Sequence, residues 1–73
     1  MSKPIRKLAG TPGSDALTSS PTVLAFGDDE IIVVGYVLDA DTRSRLDIPA
    51  GESAVRMPRS VFMNGAAAAG GRP

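Results

Sequence analysis

The chain contains no cysteine, no histidine and no tryptophan. A disulfide framework, thiol chemistry and a cysteine- or histidine-ligated zinc site are therefore ruled out. Histidine acid–base catalysis and histidine pH switching go with them. Long apolar runs are also scarce. The longest, Ile31 to Leu38, falls well short of the roughly 20 apolar residues a membrane-spanning helix needs. Neither sign of charge is in excess, with eight Lys/Arg against eight Asp/Glu. The phosphate-binding, dinucleotide-binding and nucleophile-elbow motifs are missing, and no Ser or Thr stands beside a candidate base. The expectation is a protein that is not an enzyme, with no catalytic residue, no cofactor and no metal.

What is present is short. The chain has 73 residues, enough for one small domain. Three basic residues near the start have no apolar stretch behind them, which is not the pattern of a secretory signal. The expected compartment is the cytoplasm.

The balanced total conceals a pattern. Residues 1–21 carry Lys3, Arg6 and Lys7 against Asp15, and residues 54–73 carry Arg56, Arg59 and Arg72 unopposed. The stretch between holds Asp28, Asp29, Glu30, Asp39, Asp41, Asp47 and Glu52 against Arg43 and Arg45. An acidic centre with basic ends makes a poor nucleic-acid footprint. It suits a basic protein partner, or solubility alone.

The run Ile31–Leu38 reads as the buried central strand. Seven of its eight residues are apolar, and the first four are β-branched. Such side chains are stiff at χ1 and fit a pleated sheet. A continuous apolar run implies burial on both faces. Gly35 within it suggests a bulge or a close backbone approach. Thr22 to Phe26 forms a second strand, and Gly27-Asp28-Asp29-Glu30 makes the turn of a β-hairpin. Asp39 or Asp41 caps a short helix, with Arg43 and Arg45 near its far end. Leu46 and Ile48 are expected to face the sheet. Pro49 ends the helix and Ala50-Gly51 turn the chain. Ser53 to Met57 is a third strand, and Pro58 starts one helical turn over Arg59 to Met63.

Both ends read differently. Residues 1–21 are rich in Pro, Gly, Ser and Thr with no apolar period, the composition of a disordered tail. Asn64-Gly65 ends the folded part; residues 66–73 are low in complexity, and four alanines are too few to nucleate a helix in water. The organisation is therefore a disordered tail over 1–21, a β-rich interaction domain over 22–64 and a disordered tail over 65–73. The expected fold class is α+β, mostly β, with a small antiparallel or mixed three-stranded sheet.

A folded part of this size, with neither disulfide nor metal, sits near the limit for standing alone. Left open, the central run is also an aggregation hazard. A homodimer that packs sheet on sheet or extends the sheet across a two-fold axis is the expected remedy, and a heteromeric partner that adds a strand or covers the face works equally well. The interface residues expected on that basis are Ile32, Val34, Tyr36 and Val55. The expected acidic partner surface is Asp28, Asp29, Glu30, Asp39 and Asp41.

The stretch TVLAFGDDEIIVVGYVLDADTRSRLDIPAGESAVRMPRSVF resembles a group of small actinobacterial β-rich proteins. The matching pieces are Val33-Val34-Gly35-Tyr36, the acidic segment Asp39 to Arg45, Leu46-Asp47-Ile48-Pro49 with Glu52, and Val55 to Pro58. Proteins of that group are often encoded beside helix-turn-helix regulators. The resemblance implies a regulatory accessory that binds such a regulator as its protein partner, and no catalytic residues. Two further readings remain open. One is a dimeric β-ribbon that binds DNA through Lys3, Arg6, Lys7, Arg56 and Arg59. The other is a structural or assembly subunit.

Overall fold

A computed structural model describes residues 3–10 and 20–70 of the chain. The elements in order are β1 (Ile5–Gly10), β2 (Thr22–Phe26), β3 (Glu30–Val34), β4 (Tyr36–Val37), α1 (Ala40–Ser44), β5 (Val55–Arg56) and α2 (Arg59–Gly70). The fold is α+β and mostly strand. A three-stranded antiparallel sheet runs in the order β1-β2-β3, and β4 and β5 pair antiparallel in a separate ribbon.

The hairpin of β2 and β3 forms as its sequence predicts. Phe26 faces Glu30 across the turn, and Thr22 faces Val34 at the open end. Gly27 takes a left-handed φ of 67°, which a side chain would resist. Its N–H donates to the Pro4 carbonyl at 2.8 Å, tying the turn to the start of β1.

The centre of the sheet is β2 and not the apolar run of β3. Val23 and Leu24 are each 3% exposed, and Thr22 is fully buried. Burying two such aliphatic side chains contributes roughly 1.5–3 kcal/mol each. The Thr22 hydroxyl donates to the Ala9 carbonyl at 2.9 Å, so its polar group is satisfied. β3 is an edge strand, with Ile31 48% and Val33 43% exposed. The expectation of burial on both faces fails because strands are centred by what pairs on either side of them. Here β1 takes the second flank of β2, and no strand among the described residues pairs with the outer edge of β3.

That pairing corrects the reading of residues 1–21 as a disordered tail. Residues 5–10 form a strand, with Ile5 against Phe26, Lys7 against Leu24 and Ala9 against Val23. The register shifts between Lys7 and Ala9. Such a bulge blurs the period-2 signal that would mark a strand in the sequence. Within that expected tail, residues 1–2 and 11–19 lie outside the described residues.

The run Ile31–Leu38 is also not one strand. It breaks at Gly35, where a Cβ would stand 2.5 Å from the Arg56 carbonyl oxygen. Beyond the break, Tyr36 pairs with Arg56 and Val37 with Val55. The expected third strand therefore forms, but it closes the ribbon instead of joining the main sheet. Asp39 caps α1 as expected, its carboxylate accepting from the Thr42 N–H at 2.8 Å. Leu46, expected to face the sheet, is instead half exposed, and α1 makes no extensive contact with a strand of the main sheet.

The C-terminal tail expected over 65–73 is corrected as well. α2 starts after Pro58, whose carbonyl accepts from the Val61 N–H at 3.1 Å, and it continues to Gly70. Alanine is the best helix former once a first turn exists. Packing supplies the rest. α2 lies across β1 and β2, and its Gly65 is buried directly on Val23.

Candidate interaction surface

Residues opposite one another in an antiparallel pair share a face. Val23, Ala25, Ile31 and Val33 therefore lie on one face of the sheet, and Thr22, Leu24, Ile32 and Val34 on the other. α2 covers the first face over β1 and β2 but stops short of β3. Between helix and edge strand an apolar groove of about 220 Å³ remains open. Phe62, Gly65, Ala66 and Ala69 line its helix side, a spacing of three and four residues that puts them on one stripe. Val23, Ile31 and Val33 line its floor.

The expected interface residues are not brought together. Ile32 and Val34 are half-buried and point to the face opposite the groove. Tyr36 and Val55 lie on the two strands of the separate ribbon, in neighbouring cross-strand residue pairs. The Arg56 guanidinium stands 5.1 Å from the Tyr36 ring centroid, a cation–π distance. The apolar residues that do converge on an open surface are Ile31, Val33 and Phe62. The sequence holds a signal for the first two: alternation along β3 separates them from Ile32 and Val34. It does not say which set the helix will cover.

The expected acidic surface divides into two groups. At the hairpin tip, Lys3 Nζ reaches Asp29 Oδ1 at 2.8 Å and Glu30 Oε1 at 2.6 Å. It also lies 4.6 Å from the centroid of the Phe26 ring. Hydrogen bonds to Asp29 and then Glu30 raise the Lys3 pKa above its ordinary value. Asp28 makes no hydrogen bond or ion pair with a described side chain. In α1, Asp39 is occupied as the cap, and its pKa is lowered by hydrogen bonds from the Thr42 side chain and backbone. Asp41 pairs with Arg45 at 2.7 Å, one helical turn on. Much of the acidic charge is thus answered within the chain.

Among the described residues, no group of three or more acidic side chains is placed to hold a metal ion. No helix among them is long and apolar enough to cross a membrane. Comparison with protein-family models, with curated proteins and with solved structures gives no match to this chain.

Proposed function

We propose that the protein is a small, non-enzymatic interaction module of the cytoplasm. It self-associates through the open side of its main sheet, and the assembled form is a regulatory accessory that binds a protein partner such as a transcription regulator. One observation carries this reading: among the described residues no strand pairs with the outer edge of β3, which lies beside a groove floored by exposed Ile31 and Val33. Edge strands that must remain single are usually blunted by lysine, proline or a bulge. The segment Glu30–Val34 has none of these. Covering its apolar side chains stabilises by about 25 cal/mol per Å² removed from water. The acidic groups take second place as a docking surface, because Lys3 and Arg45 already answer Asp29, Glu30 and Asp41.

Molar mass by light scattering across a dilution series tests the self-association. The full chain is expected to show a multimer, and Val33→Lys a monomer with unchanged circular dichroism. A wild-type monomer at every concentration refutes this part. For the regulator, the tagged full chain serves as bait and retained proteins are identified by mass spectrometry. Recovery of a helix-turn-helix protein supports the accessory role, and its absence confines the role to self-assembly.

A further inference from the structure

The two ends of β3 carry opposite charge. Below Glu30 lies the turn with Asp28 and Asp29, so three carboxylates gather at this end, of which Asp29 and Glu30 pair with Lys3. Above Val34 stand Arg56, over the Tyr36 ring, and Arg59, at the start of α2. Both arginines line a shallow cleft with Val55, Met57 and Phe62. Phe62 also lines the groove beside Ile31 and Val33, so the cleft adjoins the groove. Asp39 offsets part of this positive charge, since Arg56 lies within its electrostatic reach.

We infer, resting on the self-association proposed above, that the occupant of the β3 edge is a second copy of this chain, paired antiparallel about a two-fold axis through Ile32. The axis sets Ile32 against itself, Ile31 against the second copy's Val33 and Glu30 against the second copy's Val34. All five residues of the strand then pair, and no like charges face each other. An axis through Glu30 would oppose two carboxylates, which is destabilising in a cross-strand pair. A parallel arrangement would set acidic end beside acidic end. The antiparallel one brings the acidic end of each copy to the basic end of the other, twice. Carried past the strand, the register lays Asp28 beside the second copy's Tyr36 and Arg56.

The packing agrees with the charge. Residues opposite one another share a face, so both α2 helices lie on the same side of the six-stranded sheet that results. Ile31 and Val33 from the two copies meet between those helices, with a Phe62 on either flank. The two open grooves become one covered apolar layer. The mode of recognition is strand addition at a sheet edge, with backbone hydrogen bonds for affinity and alternate side chains for register.

The lack of cysteine makes the register directly testable. Opposed residues of an antiparallel pair have Cα atoms about 4.5–5.5 Å apart, inside the roughly 4.4–6.8 Å a disulfide spans. The full-length Ile32→Cys variant is expected to oxidise to a linked dimer, while Arg6→Cys on the opposite edge stays unlinked. A charge swap gives a second readout at exposed positions. Asp28→Arg alone and Arg56→Asp alone are each expected to weaken the dimer by roughly tenfold, and the double variant to recover it. A dimer that links through Arg6→Cys, or fails to link at Ile32→Cys and gains nothing from the swap, overturns this pairing and leaves self-association standing. A monomeric full chain overturns both.

Discussion

Gly65→Ala sets two known effects against each other at one atom. Alanine in a helix interior is favoured over glycine by about 0.8–1.0 kcal/mol, so propensity alone predicts a more stable protein. The packing predicts the reverse. A Cβ at Gly65 would stand 2.7 Å from Val23 Cβ and 2.8 Å from both Val23 Cγ1 and Cγ2. Carbon atoms prefer about 3.5–4.0 Å, so α2 must lift by roughly an ångström to admit the methyl. No rotamer avoids this, because both Cβ atoms ride on backbone and Val23 is stiff at χ1. Overpacking of this kind costs typically about 1–3 kcal/mol. The steric cost outweighs the gain in helix propensity, and the net loss is about 1 kcal/mol, or roughly 4–8 °C in Tm for a domain of this size. Thermal and urea melts followed by circular dichroism measure it, all at one protein concentration because association adds to apparent stability. Val23→Ala removes two of the three clashing carbons. The double variant is therefore expected to fall short of the summed losses by about 0.5–1 kcal/mol. Gly70→Ala is the control, since no described residue beyond its own helix lies within 4 Å of its Cβ position, and it should show no steric loss against Val23. A Gly65→Ala protein that is stabilised by the whole difference in helix propensity would show that α2 does not rest on Val23 there.

Three further outcomes are expected. Leu24→Ala, at a position 3% exposed, should lose about 2–5 kcal/mol in urea melts, whereas Val37→Ala, at a position 81% exposed, should lose almost nothing. Equal losses would mean the core is not centred on β2. The Asp39 pKa is lowered in the fold, so its contribution is present above the ordinary value of 3.8 and disappears as pH falls through the folded value. Amide shifts of Thr42 and Arg43 should report the loss of the α1 cap in that acid window, and Asp39→Asn should remove the transition. The Lys3 pKa is raised, so its contribution is complete below 10.5 and lost as pH climbs through the folded value. Exchange of the Gly27 amide, whose partner is the Pro4 carbonyl, should gain protection in the wild type relative to Lys3→Met below that window, and identical exchange would discount the tip clamp.

The small core explains why the surface matters. Among the described residues, the buried apolar side chains are Val23, Leu24 and Ala25 on the central strand and Pro21 just before it. Ile31, Val33, Phe62 and Met63 all remain substantially exposed. A second copy along β3 would cover the first three in one step, which is why the edge, rather than the divided acidic groups, is the surface assigned to association.

The features legible in the sequence are local ones. The β2–β3 hairpin follows from two β-branched and apolar runs around a Gly-Asp-Asp turn, whose geometry depends on residues a few positions apart. The Asp39 cap and the start of α2 after Pro58 have the same character, since each rests on one side chain and the next turn of backbone. Three other features come from packing and are contained in no local pattern. Packing places β2 at the centre, because a strand's depth depends on how many strands flank it and β1 comes from a stretch without a period. It carries α2 on to Gly70, because contact between Gly65 and Val23 supplies what four alanines cannot supply alone in water. It also selects the exposed set. Alternation separates Ile31 and Val33 from Ile32 and Val34, but only the docking of α2 over β1 and β2 leaves the first pair open at the edge. Depth, docking and edges arise from contacts distant in sequence, and a periodic pattern carries no information about which distant segment will supply them.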